Sequence, residues 1–457
     1  MKRALLLLAL CTGAAQSQEV RIPPAVKEVL PNGLTIFFMD RESSPVVHLR
    51  LAARGGSALD PEGREGAASM MATLLRRGTA DRSAVQIAAA VEATGGSLES
   101  AASVDYCVVK SEALARDADR MLELTADVAL RPAFPPEEIE RERANALAGL
   151  DALLEDPGSV ASRVFRTEAY GAHPYGRPAD GTRRSLAEID RGDLLRAYAS
   201  AFVPANCVLV VVGPAGASGF RERVRSAFSA WSGLREAAPE VPPVPPLRGR
   251  AVVLVDIPEA TQTQIVIGGT GPPMRHPDRT PLNVGATAFG GGFTSRLVRE
   301  LRVNRSLTYG ASGGFSANNA GGLFSVVTFT KNSTAGEAVE VALAETRKFR
   351  EKGGTPGEVR TAVNAVCGTF ARALQSPEVL AALVTDRELY GLPADQIEGY
   401  LGRTRAVTPD DVRRTAGAHF PADGDLLIVL AGPADSLAAT AARFGPVSRK
   451  TLREVVR

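Results

Sequence analysis

The sequence predicts an α+β protein of two tandem, duplicated domains, each an antiparallel sheet covered by helices. Three observations lead there. The chain repeats itself at an offset of about 218 residues, with Asp193-Leu-Leu-Arg-Ala-Tyr-Ala-Ser-Ala-Phe202 aligned to Asp411-Val-Arg-Arg-Thr-Ala-Gly-Ala-His-Phe420. Each copy is followed by an apolar run ending in Gly-Pro, and Pro136-Glu-Glu-Ile139 echoes Pro356-Gly-Glu-Val359. Between the copies, residues 236–250 hold five prolines, whose fixed φ favours extended polyproline geometry and a semi-rigid linker. Finally, each half mixes strand-like apolar runs, separated by short turns, with amphipathic helical patterns. The expected organisation is a signal peptide at 1–17, a first domain at 24–235, the linker at 236–250 and a second domain at 251–450.

The elements follow in order. Met1-Lys2-Arg3 and the apolar run 4–10 form a leader, and Ala15-Gln16-Ser17 offers small residues for cleavage before Gln18. The run is too short to span a bilayer. Leu10 before Cys11 fits a lipoprotein signal poorly, so the expectation is an exported protein, periplasmic in a bacterium. Gly33–Met39 and Val46–Ala52 read as strands after an Asn-Gly turn, and 83–93 as a helix capped by Ser83. Leu98–Val109 reads as strand and Ala113–Ala129 as helix. The order returns with strands at Ala251–Val255 and Thr263–Gly268, a helix from Arg279, and strands from Leu307 to Thr330. Joined by short turns, such strands imply sheets covered on one face.

Composition narrows the function. The 457 residues carry 53 basic and 51 acidic side chains, and loss of the leader removes Lys2 and Arg3. A charge near zero gives no basis for nucleic-acid binding. No later segment is long and apolar enough for a membrane span. Cys107, Cys207 and Cys367, with no Cys-x-x-Cys pair, argue against a disulfide framework, and Cys207 and Cys367 in apolar runs read as buried small hydrophobes.

Gly66-Ala-Ala-Ser-Met-Met-Ala-Thr-Leu-Leu-Arg-Arg-Gly-Thr79 is informative for what it lacks. The frame resembles the first active-site helix of the M16 (insulinase and mitochondrial processing peptidase-like) zinc peptidases, where His-x-x-Glu-His precedes a closing Gly-Thr. The resemblance covers nearly the whole mature chain and implies a fold of the LuxS/MPP-like metallohydrolase type. Counted back from Gly78-Thr79, the two imidazole positions fall on Ser69 and Thr73 and the glutamate on Ala72. The family's third zinc ligand, on a later helix, falls on Gly149. None of these four side chains ligates zinc. Sliding the frame does not help, because His48, His173, His276 and His419 include no two within five residues, so no His-x-x-x-His clamp exists. Asp151 and Glu155 read as a solvated helix face, and Met70-Met71 as core.

The second half holds another constellation: Gly290-Gly291-Gly292, then Ser295-Arg296-Leu297, then Arg302 and Tyr309 seven residues apart. It resembles the glycine-rich turn, helix and strand that carry the family's Arg/Tyr pair, which faces the zinc across the substrate cavity. Taken singly, Arg302 reads as a surface ion-pair residue beside Glu300 and Tyr309 as a half-buried strand residue; the glycine turn in register favours the pair. The combination resembles the noncatalytic subunit of two-chain M16 peptidases. That implies no zinc and no hydrolysis in this chain alone, zinc in a partner bearing His-x-x-Glu-His, and a peptide substrate.

Other readings stay open. Gly310-Ala-Ser312-Gly-Gly314 fits Gly-x-Ser-x-Gly, and Asp410 or Asp411 with His419 gives a serine-hydrolase order, but a turn between strands follows where a helix is required. A structural scaffold, or a peptide-binding module using a sheet edge near Leu98–Ala102, remains as the alternative without catalysis.

Overall fold

The computed structural model describes residues 22–214, 219–233 and 240–457. The leader and its cleavage position, with Cys11, lie outside the described residues, as do 236–239 at the start of the linker.

Two six-stranded sheets form the frame. The first contains β1 (Ala25–Val29), β2 (Thr35–Asp40), β3 (Val46–Arg54), β4 (Ser97–Ala102), β5 (Tyr106–Leu114) and β6 (Cys207–Gly213), in the order β1-β2-β6-β3-β5-β4. The second contains β7 (Ala251–Asp256), β8 (Gln262–Gly271), β9 (Ala311–Phe315), β10 (Gly322–Lys331), β11 (Leu427–Gly432) and β12 (Val447–Thr451), in the order β12-β7-β11-β8-β10-β9. The duplication thus extends to topology, except at one edge. That edge strand precedes its neighbour in the first half (β1) and is the last strand in the second (β12). Most pairs are antiparallel as expected, but β2–β6, β7–β11 and β7–β12 are parallel, so both sheets are mixed.

Three local readings change. The expected strand 98–109 is a hairpin, because the Ser103 hydroxyl accepts the Asp105 and Tyr106 N–H groups and turns the chain between β4 and β5. β5 runs on through Leu114, so the next helix is Ala118–Leu130. Leu307–Gly310 precedes β9 and is not strand. The Ser83 cap is present, with Gln86 completing a capping box for helix Ala84–Glu92.

Coverage on one face is also corrected. One face of the first sheet, with Ile36, Phe38, Leu49, Leu51 and Leu209, packs in one core with its own helices, among them Ala67–Leu74 and Ala118–Leu130. The other face, with Phe37, Met39, Val208, Val210 and Val212, is covered by Leu380, Ala381 and Val384 of helix Pro377–Leu389 from the second half. Reciprocally, helix Pro157–Tyr170 of the first half lays Val160, Val164 and Phe165 on Val253, Val266 and Val429 of the second sheet. Each half therefore lends the other a helix. Strands buried on both faces read as continuous apolar runs, and Cys207–Gly213, buried at every residue, is one.

Further contacts tie the halves together. The described part of the linker is no free spacer: Val241, Val244 and Leu247 pack on the core under Pro157–Tyr170, and Pro242 carbonyl lies 2.7 Å from His173 Nε2. Asp105, in the β4–β5 turn, accepts from Tyr175 Oη, from Tyr390 Oη at 3.1 Å and from the Asn319 N–H at 2.9 Å, so one carboxylate gathers donors from both halves.

Candidate functional site

The Gly66–Thr79 frame folds as helix Ala67–Leu74. Asp60 builds its start, accepting the Gly66 and Ala68 N–H groups, each at 2.9 Å. Burial pushes the Asp60 carboxyl up to about 7, against those two bonds. Gly66 is left-handed at φ 94°, and a Cβ there would stand 3.0 Å from the Gly181 Cα, so the loop before Thr182 crosses directly over the helix start. Gly78-Thr79 closes the frame structurally: Thr79 Oγ1 donates to buried Asp127 at 2.9 Å and accepts the Asp81 and Arg82 N–H groups.

On this helix Ser69 Oγ donates to Ala179 carbonyl at 2.6 Å, fastening the crossing loop, and Thr73 Oγ1 donates back to Ser69 carbonyl at 3.0 Å. Ala72 has no exposed surface. Gly149 lies on helix Pro136–Glu155, which packs against Ala67–Leu74, and a Cβ there would meet nothing within 4 Å. The fold thus brings together the two helices bearing the four positions, but the residues do not fit a zinc ion: two hydroxyls engaged with carbonyls, a methyl and no side chain supply no donor set. Helix Pro136–Glu155 also carries Glu142, two turns before Gly149. Burial raises its carboxyl, and the Asn145 hydrogen bond and the Arg77 and Arg76 charges oppose that. Met70 and Met71 are core, as expected. Beside the helix runs β4, which pairs only with β5 and leaves its outer edge without a strand partner among the described residues.

In the second half, helix Arg279–Gly290 ends in the glycine turn. Gly290 bridges to Gly313 of β9, and a Cβ on it would come within 2.4 Å of the Gly313 nitrogen, so only glycine permits that approach. Gly291 closes on the Thr287 backbone, whereas Gly292 faces open space. The chain then passes through a short helix, Arg296–Val298, into a π-helical turn, Arg299–Asn304, a geometry concentrated at functional positions. Arg296 is fixed by a two-toothed pairing with Glu358 at 3.1 and 2.6 Å. Arg302, inside the π-turn, stacks on Phe293 with its guanidinium carbon 4.7 Å from the ring centre. Among the described residues it makes no ion pair, and Glu300 accepts from Asn304 instead.

Tyr309 is 80% exposed, Phe293 67% and Val303 61%. The Phe293 ring carries the guanidinium, while Val303, next to Arg302 in the chain, and Tyr309 are left in water. Sequence reasoning singled out Arg302 and Tyr309 but missed Phe293, on which Arg302 stacks, and the exposed Val303 of the π-turn. The serine-hydrolase reading loses its geometry. Ser312 lies within β9, Asp411 is engaged with Thr408 in a helix cap, and His419 pairs with Asp278 at 2.8 Å.

The architecture defines a peptidase-type scaffold whose first active-site helix carries no metal donors. Two sequence profiles match it: "Insulinase (Peptidase family M16)" over residues 36–183 and "Peptidase M16 inactive domain" over 188–366. This chain belongs to the M16 peptidase family. An uncharacterized zinc protease of Streptomyces coelicolor is 26% identical over 396 residues, 85% of this chain and 86% of the relative. The fold is shared with a peptidase M16 inactive domain from Pseudomonas fluorescens, at TM-score 0.82 and 24% identity over 90% of this chain and 98% of that one. A protease from Helicobacter pylori has TM-score 0.79 and 20% identity over 90% of this chain and 100% of that one.

Proposed function

We propose that this chain is the noncatalytic, substrate-binding subunit of a two-chain M16 zinc peptidase. It is exported, pairs with a separate chain bearing His-x-x-Glu-His, and completes that partner's active site with Arg302 and Tyr309 for cleavage of peptides or unfolded polypeptide. One joint observation carries the reading: Ser69, Ala72, Thr73 and Gly149 offer no metal donors, while Tyr309 stands exposed and Arg302, half-buried and without an ion-pair partner among the described residues, stacks on Phe293 after a glycine turn. The exposed Phe293 under Arg302, with the exposed Val303 next to Arg302 in the chain, supports a protein partner, because aromatic and arginine side chains anchor interfaces.

The division of chemistry is simple. The partner's zinc supplies Lewis acidity and an activated water. In this chain, the Arg302 guanidinium and the Tyr309 O–H supply fixed donors for the charge that develops on the scissile carbonyl. Co-expression with a partner bearing the zinc motif, assayed on an unfolded peptide, tests this. Cleavage is expected to require this chain and to fall about 10²–10³-fold on removal of either donor in Arg302→Ala or Tyr309→Phe. Unchanged turnover in both variants sinks the proposal, as does hydrolysis by this chain alone.

The open edge of β4 favours a second reading, a peptide-binding protein that takes an extended chain by strand addition and has no part in catalysis. Peptide binding to the isolated chain, with the partner's cleavage indifferent to Arg302 and Tyr309, would select it.

A further inference from the structure

A cluster of metal-type donors stands apart from these sites. His276 and Asp278 occupy the turn into helix Arg279–Gly290, and His419 is the last residue of helix Pro409–His419, which packs against it. Asp278 Oδ2 lies 2.8 Å from His419 Nε2 and 3.9 Å from His276 Nδ1, and all three ligand atoms fall within 4.8 Å of one another. Donors around a tetrahedral zinc with bonds of about 2.0–2.1 Å stand roughly 3.3 Å apart. Two of these separations differ from that by only about half an ångström, and side-chain rotation closes the third, which is at most 4.8 Å, so three legs of such a site come into place.

The surroundings favour an ion. Arg414 donates to Asp278 Oδ1 at 2.8 Å, which turns Oδ2 toward the two rings as an outer partner orients a ligating carboxylate. His276 Nδ1 accepts the Asp278 N–H at 3.1 Å, which shows its lone pair aimed into the cluster, and this is the bond the metal replaces. On His419 the metal takes the Nε2 lone pair of the tautomer whose proton sits on Nδ1, in place of the Nε2 contact with Asp278. The side chains are 31%, 15% and 15% exposed, which gives an ion and a completing water a way in.

We propose that His276, Asp278 and His419 bind one divalent transition-metal ion, zinc or a close relative, as a structural clamp between the start of one helix and the end of another. Helix Arg279–Gly290 has 12 residues, about 18 Å at 1.5 Å per residue, and the clamp sits at the opposite end from the glycine turn. The ion thus anchors the helix that delivers that turn and takes no part in hydrolysis. The inference is independent of the proposed peptidase role.

The test uses the full chain, freed of metal by a chelator and titrated with Zn²⁺ or Co²⁺ alone. Bound metal is measured by mass spectrometry, and cobalt geometry by visible absorption. One ion per chain is expected, with a zinc-dependent rise in melting temperature of a few degrees. His419→Gln, whose amide can still donate to Asp278, and His276→Gln should each lose the ion and the rise. His48→Gln, a buried histidine elsewhere, should keep both. Substoichiometric metal, stoichiometric metal retained by both cluster variants, or cobalt absorption of octahedral hydrated-ion type overturns the proposal. Should the variants not fold, the stoichiometry and cobalt spectrum of the unmodified chain decide it.

Discussion

Where helix Pro157–Tyr170 covers the second sheet, the centre of the contact is aliphatic and aromatic, Val160, Val164 and Phe165 on Val253, Val266 and Val429, with the Glu168–Lys450 ion pair and the Arg163 bond to the Val455 carbonyl beside it. Where Pro377–Leu389 covers the first, Leu380 and Val384 share the contact with charge. Arg50 donates to Tyr106 Oη, Tyr106 to Asp386, Lys110 to Glu378, and Arg54 reaches the carbonyls at the end of the helix. Buried His48 lies in the same layer with no hydrogen bond to either ring nitrogen, its Nδ1 3.5 Å from the Glu112 carboxylate. The same exchange has been built once with an apolar centre, a dry seal, and once as a polar joint. Apolar packing is indifferent to pH, whereas a desolvated imidazole is not, so of the two contacts the polar joint carries the acid-sensitive His48.

Truncating the dry seal should have the largest effect. Phe165→Ala removes a side chain 3% exposed whose ring lies against Gly268, and is expected to cost about 3–5 kcal/mol in urea unfolding. Because each half holds the other's helix, the loss should shift one transition for the whole chain. A second transition that keeps the first sheet intact would break the comparison.

The polar joint predicts a pH effect nearly as large. Burial lowers His48 to about 4 in the folded chain from an ordinary 6.5, so the unfolded chain binds more protons between those values. Stability from this group is therefore complete above about pH 6.5 and falls by about 3 kcal/mol as pH drops to about 4. Asp60 acts with opposite sign: its folded value of about 7 lies above the usual carboxyl range, so stability declines as pH rises from about 4 to about 7. His48→Gln should expose the Asp60 slope alone, giving a protein that gains stability in mild acid. An unchanged profile in that variant would remove His48 as the sensitive element.

Smaller effects sharpen the comparison. Gly149 and Gly368 occupy exposed places one register step apart in the matching helices Pro136–Glu155 and Pro356–Ala373, and a Cβ at either meets nothing within 4 Å. Gly149→Ala and Gly368→Ala should each stabilise by about 0.5–1 kcal/mol, since glycine in a helix interior is that much worse than alanine. Destabilisation at Gly149 alone would show that the halves differ there. Smallest of all, Tyr309→Phe at an exposed position and Arg302→Ala at a half-buried one without an ion-pair partner among the described residues should leave stability within about 0.5 kcal/mol, so that lost complementation reports function rather than folding.

Much of this was legible in the sequence because it is written locally. The repeat, the Ser83 cap and the glycine turn are strings of neighbouring residues, as is the Gly66–Thr79 frame that folds as helix Ala67–Leu74. The helix exchange was not legible. Unbroken burial in Cys207–Gly213 signals cover on both faces, yet periodicity cannot say which helix provides it. The β4–β5 turn escaped notice because a serine hydroxyl, and not glycine or proline, makes it. His276 and His419 escaped because only the packing of two helices joins residues so far apart in the chain.

The exchange also orders events in time. Phe37, Met39 and Val210 of the first sheet wait for Leu380 and Val384, which are made more than 160 residues later. During synthesis the first half thus emerges with one apolar face bare, and no proofreading by its own core can conceal it. Completion must await the second half, so the long interval before closure, more than the strength of any one contact, sets how much this chain depends on being kept from aggregating while it is made.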